Sequence, residues 1–206
     1  MAYSDPTPGT RALTEHMTRA VAYSSNLFIR DSGIRDPTTL VDVHEIQLPD
    51  VGADFTNTAP MMRPFPVMSD DRVEVSAVLV PHGPVFPSFA YRFDTEYGSV
   101  TFSGDTTHTP NMPALARDTD LLVHEAINLR GAELSPALRS HMLESHVEVQ
   151  KVGAVAEESG ARRLALSHLI DLARDPLDVR QWQRWAQQGY GGRVLVGTDL
   201  RRITVK

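Results

Sequence analysis

Alternating apolar positions mark most of the chain's elements. Val73, Val75, Ala77 and Leu79 alternate with polar neighbours toward Pro81-His82, which predicts a strand that stops at a histidine. Phe89, Tyr91 and Phe93 alternate in the next strand, Glu96-Tyr97-Gly98 supplies a hairpin turn, and the return strand Ser99–Ser103 runs into Gly104-Asp105-Thr106. Asp120–Val123 predicts a short strand ending at His124-Glu125, and Leu164–Leu166 another ending at Ser167-His168. Two last strands, Val194–Val196 and Ile203–Val205, flank Asp199. A further strand is expected over Leu40–Leu48, among loops rich in proline.

Helical spacing is found elsewhere. Leu13, Met17, Ala20 and Val21 share one face of a helix over residues 9–26. Ser145-His146-Val147-Glu148 has the form of a capping box that opens a second helix, with Gly160 as its stop. Asp175-Pro176 opens a third, on which Trp182 and Trp185 stand three apart and read as core rather than as a substrate platform. Mixed strands, hairpins and helices predict an α/β or α+β domain with a mixed sheet, a single domain over residues 1–206.

Composition then narrows the chemistry. The 206 residues contain no cysteine, so thiolate zinc sites and disulfides are excluded and any metal must be held by His, Asp or Glu. A formal charge of −6 gives no general attraction to nucleic acid or to anionic membrane. No apolar run approaches the roughly 20 residues of a membrane helix, and the first residues lack a secretory pattern, so the cytoplasm is the expected compartment.

Eight histidines remain to be explained. His82, Asp105, His124-Glu125 and His168 each follow a predicted strand, and His146 sits at a predicted helix start. Taken singly, each is an ordinary turn or capping residue. Repeated in one stretch, they describe a site assembled from several loops at one edge of a sheet.

Val80-Pro81-His82, Phe102-Ser103-Gly104-Asp105-Thr106, Asp120–Ala126, Ser145-His146 and Leu166-Ser167-His168 occur in that order. Together they resemble the later part of a metallo-β-lactamase-fold hydrolase, in the ribonuclease Z and arylsulfatase-like branch. The resemblance spans residues 73–205 and implies the C-terminal two thirds of an αββα sandwich. It implies that His82 binds a first metal, His168 a second, and that Asp105 bridges them. His146 matches the histidine that protonates the leaving group, and Glu125 is placed to orient an imidazole. Two zinc ions per full domain, with manganese or iron as substitutes, would activate a hydroxide against a phosphodiester or sulfate ester. Ala126 is followed by Ile127 where the ribonuclease Z form has threonine.

The family's His-x-His-x-Asp-His motif does not occur in the sequence. The expectation is therefore an N-terminally incomplete domain in which each metal keeps one histidine plus Asp105, a chain nearly inactive by itself. The acid excess, and a short stretch between His82 and Asp105 that leaves no room for a tRNA-gripping arm, favour a small ester or phosphodiester over nucleic acid. An apolar sheet face left open would suit a homodimer. Two alternatives stand beside this reading: a catalytically degenerate domain acting by association, and a lactonase of the same superfamily.

Overall fold

A computed structural model describes residues 9–173 and 176–205. The expectations about the leader residues and about Asp175 as a helix start fall outside that range. The chain forms two compact units, residues 1–48 and 49–206.

In the first unit, helix α1 spans Thr10–Ser32, longer than the predicted 9–26. It stops at Gly33, whose φ of +62° is a left-handed conformation that suits glycine and lets its N–H reach the Ile29 carbonyl. Gly9 offers no side-chain cap. The Glu45 carboxylate takes its place, accepting from the backbone N–H of Thr10 at 3.2 Å and of Arg11 at 2.6 Å, where its charge also complements the helix N-terminus. The strand expected over Leu40–Leu48 does not form. Pro37–Leu40 is a 3-10 turn capped by Asp36, and residues 41–48 belong to no strand. Alternation alone could not make a ladder there: Val43 gives its carbonyl to the Arg11 guanidinium and Glu45 is spent on α1.

The second unit is built on one seven-stranded sheet in sequence order. Its strands are β1 Phe65–Ser69, β2 Glu74–Leu79, β3 Phe89–Thr95, β4 Gly98–Phe102, β5 Leu121–Asn128, β6 Arg163–Asp171 and β7 Arg193–Val196. β1 to β4 run antiparallel and β4 to β7 parallel, which is the expected mixed sheet. The last expected strand, Ile203–Val205, is absent.

Helices α2 Asn111–Leu115, α3 Pro136–Ser145, α4 Val149–Glu158 and α5 Val179–Ala186 complete the unit. α4 packs on β5 and β6, α5 on β7 and α4, and α2 on β2 and β3. Under them Val78, Ala90, Leu122, Leu164, Leu166, Val194 and Trp182 are buried, each larger side chain contributing roughly 1.5–3 kcal/mol. The alternate positions on the opposite face are more open: Tyr91, Phe93 and Val100 are half-buried and Phe102 is exposed.

Three boundaries differ from expectation in ways that bear on the site. β5 does not end at His124-Glu125 but carries both inside the sheet, where they are buried. β6 likewise runs past His168. The Ser145 capping box is not formed: Ser145 closes α3, Glu148 holds the N-cap of α4 with no side-chain cap, and the Ser145 hydroxyl has no partner among the described residues. His146 is therefore the C-cap of α3, in the link between two helices.

Candidate metal and proton-transfer site

Each site residue is placed by a local device. His82 follows Val80, whose N–H donates to the Ser88 carbonyl, and the Val85 N–H donates back to the His82 carbonyl, closing a tight turn. Gly83 in that turn has φ +49°, and a Cβ there would stand 2.7 Å from the Ser145 hydroxyl, so only glycine fits between the His82 turn and α3. Asp105 lies on the loop after β4. The Thr107 N–H donates to the Pro81 carbonyl at 2.9 Å, which ties the Asp105 loop to the His82 turn, and the Thr107 hydroxyl donates to the Leu143 carbonyl of α3.

Glu125 is 2% exposed. Its N–H donates to the Ser103 hydroxyl, and its Oε1 accepts from the Val147 N–H at 2.8 Å. The Ile127 N–H donates to the Val147 carbonyl, so the 146–148 link is laid against β5 like a short extra strand. His168 is the extra residue of a bulge. Ser167 pairs with Glu125 and Leu169 with Ala126, so His168 has no partner across the ladder and takes φ +44°. A non-glycine residue there is strained, and bulges of this kind re-aim a side chain.

These devices bring the expected residues together. Donor atoms of His82, Asp105 and His146 all lie within 4.8 Å of one another, and so do those of Glu125, His146 and His168. His168 Nε2 stands 3.6 Å from Asp105 Oδ2, and His146 Nδ1 3.5 Å from Glu125 Oε2. The His146 and His168 rings stack at 5.5 Å, and His82 meets His146 edge-on at 5.3 Å. All five residues expected to act are thus in one cluster, just past the end of β4 and beside the bulge where β6 pairs with β5.

The electrostatics follow from burial. Desolvation pushes the Glu125 carboxyl up to about 8, against the pull of backbone N–H groups. Desolvation also lowers His146, opposed by the charge of Asp105. Glu125 Oε2 and His146 Nδ1 are buried without a hydrogen-bond partner among the described residues, and an orphaned acceptor pair of this kind fits a cation or a proton. The donors, imidazole and carboxylate, are those of a zinc, iron or manganese site. His124 is not part of the cluster. Its ring is buried under the helices with Nδ1 2.7 Å from the Glu125 carbonyl. Ser145 was not anticipated; nothing in the sequence distinguishes its hydroxyl from an ordinary helix cap.

A mixed sheet with a histidine–carboxylate cluster beside its parallel strands is the arrangement of the metallo-β-lactamase fold, and the chain has that fold. Among solved structures it is similar to the metallo-β-lactamase fold protein YhfI from Bacillus subtilis, with a TM-score of 0.50 at 20% identity, over 65% of this chain and 50% of that one. In sequence it is similar to proteins named ribonuclease Z. It is 30% identical over 141 residues to ribonuclease Z of Mycobacterium tuberculosis (strain ATCC 25618 / H37Rv), covering 68% of this chain and 51% of that protein. The match to ribonuclease Z of Mycobacterium avium (strain 104) has the same identity and covers 50% of that protein. The chain spans about half the length of these curated relatives. No protein-family model matches it. Among the described residues no helix is long and apolar enough to cross a membrane.

Proposed function

We propose that the chain serves a metal-dependent hydrolase that cleaves a phosphodiester. The observation that carries this reading is the convergence of His82, Asp105, His146 and His168 from four separate segments onto one cluster backed by buried Glu125. His82, Asp105 and His168 would hold the metal, zinc first with manganese or iron as substitutes, and Asp105 has the two oxygens needed to touch two ions. A bound divalent cation supplies Lewis acidity toward the phosphoryl group and acidifies water.

The protein's own groups do the rest. His146, beside the ligands, gives a proton to the departing alkoxide. Glu125 faces its Nδ1 and sets which ring nitrogen carries the proton. The small-substrate preference drawn from the acid excess gives way here: relatives named ribonuclease Z favour a phosphodiester in RNA. A sulfate ester rests on family resemblance alone.

The sequence contains no His-x-His-x-Asp-His motif. We therefore expect the 206-residue chain by itself to hold metal weakly and turn over slowly. Calorimetric titration with zinc and manganese, followed by assay on a chromogenic phosphodiester, tests both statements. Turnover comparable to a ribonuclease Z would overturn the second; no metal uptake that depends on His82, Asp105 and His168 would overturn the site.

A second reading, a domain acting by association, is favoured by the open aromatic face of the sheet around Phe93 and Phe102. Sedimentation of the chain over a concentration series distinguishes a homodimer from a monomer.

A further inference from the structure

We propose that a cleft beside the metal cluster binds one nucleotide of the substrate strand, with its base stacked on Trp185 and its phosphate held by Arg130. The proposal rests on the phosphodiesterase reading and adds where the strand lies. The cleft, of about 400 Å³, opens between the ends of β5 and β6 and helix α5, and falls in the range of roughly 300–1,000 Å³ that small-molecule pockets occupy. Asn128 and Asp171 lie three residues beyond Glu125 and His168 on the same two strands. At about 3.3 Å per residue the cleft begins roughly 10 Å further along the sheet, within reach of an extended strand whose phosphodiester sits at the cluster.

The floor of the cleft is fixed. Asp171 Oδ2 accepts from Trp182 Nε1 at 2.9 Å, and Asp171 Oδ1 accepts from Asn128 Nδ2 and the Ala173 N–H, each at 3.0 Å. Trp182 is fully buried and Asn128 nearly so. With both oxygens engaged by protein donors, this carboxylate braces α5 against the strands. Trp185, one turn further along the helix, is only half-buried and lines the cleft. The expectation that both tryptophans are core therefore holds for Trp182 and fails for Trp185.

Arg130 is exposed, with its guanidinium carbon 5.8 Å from the Trp185 ring centre, and it makes no ion pair among the described residues. A half-open indole with a guanidinium over one face, and no ion pair to that guanidinium among the described residues, suits single-stranded nucleic acid. Every base has a π-face, and the cation meets the phosphate. A local pair of this kind acts despite the net negative charge of the chain.

The test is made on the full chain without metal, in the presence of EDTA, so that binding is separated from cleavage. The sequence has only two tryptophans, and Trp182 is shielded, so quenching reports Trp185. The probes are a uridine hexanucleotide, AMP, and ribose 5-phosphate as a base-free control. Quenching by the hexanucleotide and not by ribose 5-phosphate is expected. By anisotropy of a labelled hexanucleotide, Trp185→Phe should retain affinity and Trp185→Ala should weaken it by roughly five- to 150-fold. Arg130→Gln should weaken it and flatten its salt dependence.

Unchanged affinity in Trp185→Ala, with an intact thermal transition, overturns the proposal. AMP binding as tightly as the hexanucleotide overturns its assignment to a strand. Failure of the hydrolase reading would appear separately, as absence of metal uptake that depends on His82, Asp105 and His168 in a protein whose hexanucleotide binding is intact.

Discussion

His146 Nδ1 lies 3.5 Å from Glu125 Oε2, and neither atom meets a hydrogen-bond partner among the described residues. A fraction of an ångström of closure would turn this contact into a charge-assisted hydrogen bond of about 2.7–2.9 Å. On the hydrolase reading proposed above, the pair would share one proton between these two atoms and leave the other ring nitrogen of His146 for the leaving group. In a protein that carries this chain and cleaves phosphodiesters, His146→Ala should lower turnover of an alkyl leaving group by roughly 10²–10⁴-fold. An activated nitrophenolate needs little help in leaving and should suffer much less. Equal losses on both substrates would instead mean that His146 acts as the cap of α3.

Metal affinity should depend on His82, Asp105 and His168 together. Removing an outer partner of a metal ligand typically costs roughly 10–100-fold in affinity, so His82→Ala, Asp105→Asn and His168→Ala should each cost at least that much by zinc calorimetry. The metal should also raise thermal stability, by about 2.7 kcal/mol when free zinc exceeds the Kd a hundredfold. A zinc-dependent rise that survives Asp105→Asn would place the ion elsewhere.

Acid should destabilise the second unit through His124. Burial lowers this imidazole to about 4 from its usual 6.5. Between those values the unfolded chain takes up a proton that the folded chain refuses, so stability is full above about 6.5 and is lost as pH falls toward 4. The contribution is on the order of 3 kcal/mol. Glu125, held up at about 8, pulls the other way as pH falls. The measure is therefore the difference in urea titrations across pH 4–7. The stability of the wild type relative to His124→Gln, whose amide does not titrate, should fall toward pH 4.

Gly83→Ala should disturb the site from outside it. The new methyl group would meet the Ser145 hydroxyl at 2.7 Å in a residue already at φ +49°. A loss of about 1–3 kcal/mol in stability is expected. A zinc affinity reduced in parallel would show that the His82 turn had moved; an unchanged Tm would refute the packing account.

The cluster was legible because strand ends carry their own signal. His82 and Asp105 sit where alternation stops, and the turns after β2 and β4 leave them there. Interior polar residues carry no such signal, so His124 and Glu125 were read as the end of a strand that runs on through them. β1 was missed because Pro66 and a bulge between Pro66 and Met68 break its pattern. The Ser145-to-Glu148 motif misled because its backbone answers to β5 instead: the Val147 N–H is taken by Glu125 and the Val147 carbonyl by the Ile127 N–H. Leu40–Leu48 has apolar residues at Val41, Val43, Ile46 and Leu48 but pairs with no strand among the described residues. Local periodicity records what a segment could do, and the ladder partner, invisible to it, decides.

The bulge at His168 has a consequence for how such a protein can change. The proposed ligand and the backbone strain reside in one residue, so a single substitution can trade one for the other. His168→Gly should surrender the imidazole while relieving a left-handed conformation, and the metal-free chain should become more stable, by about 1 kcal/mol. Deleting the residue is a different event. It would take out the extra residue of the bulge and leave Leu169, Ile170 and Asp171 in their present register with Ala126, Ile127 and Asn128, so the brace between Asp171 and Trp182 would persist. A lineage can thus abandon the chemistry here by point mutation or by loss of one codon and keep the pairing of its sheet in either case.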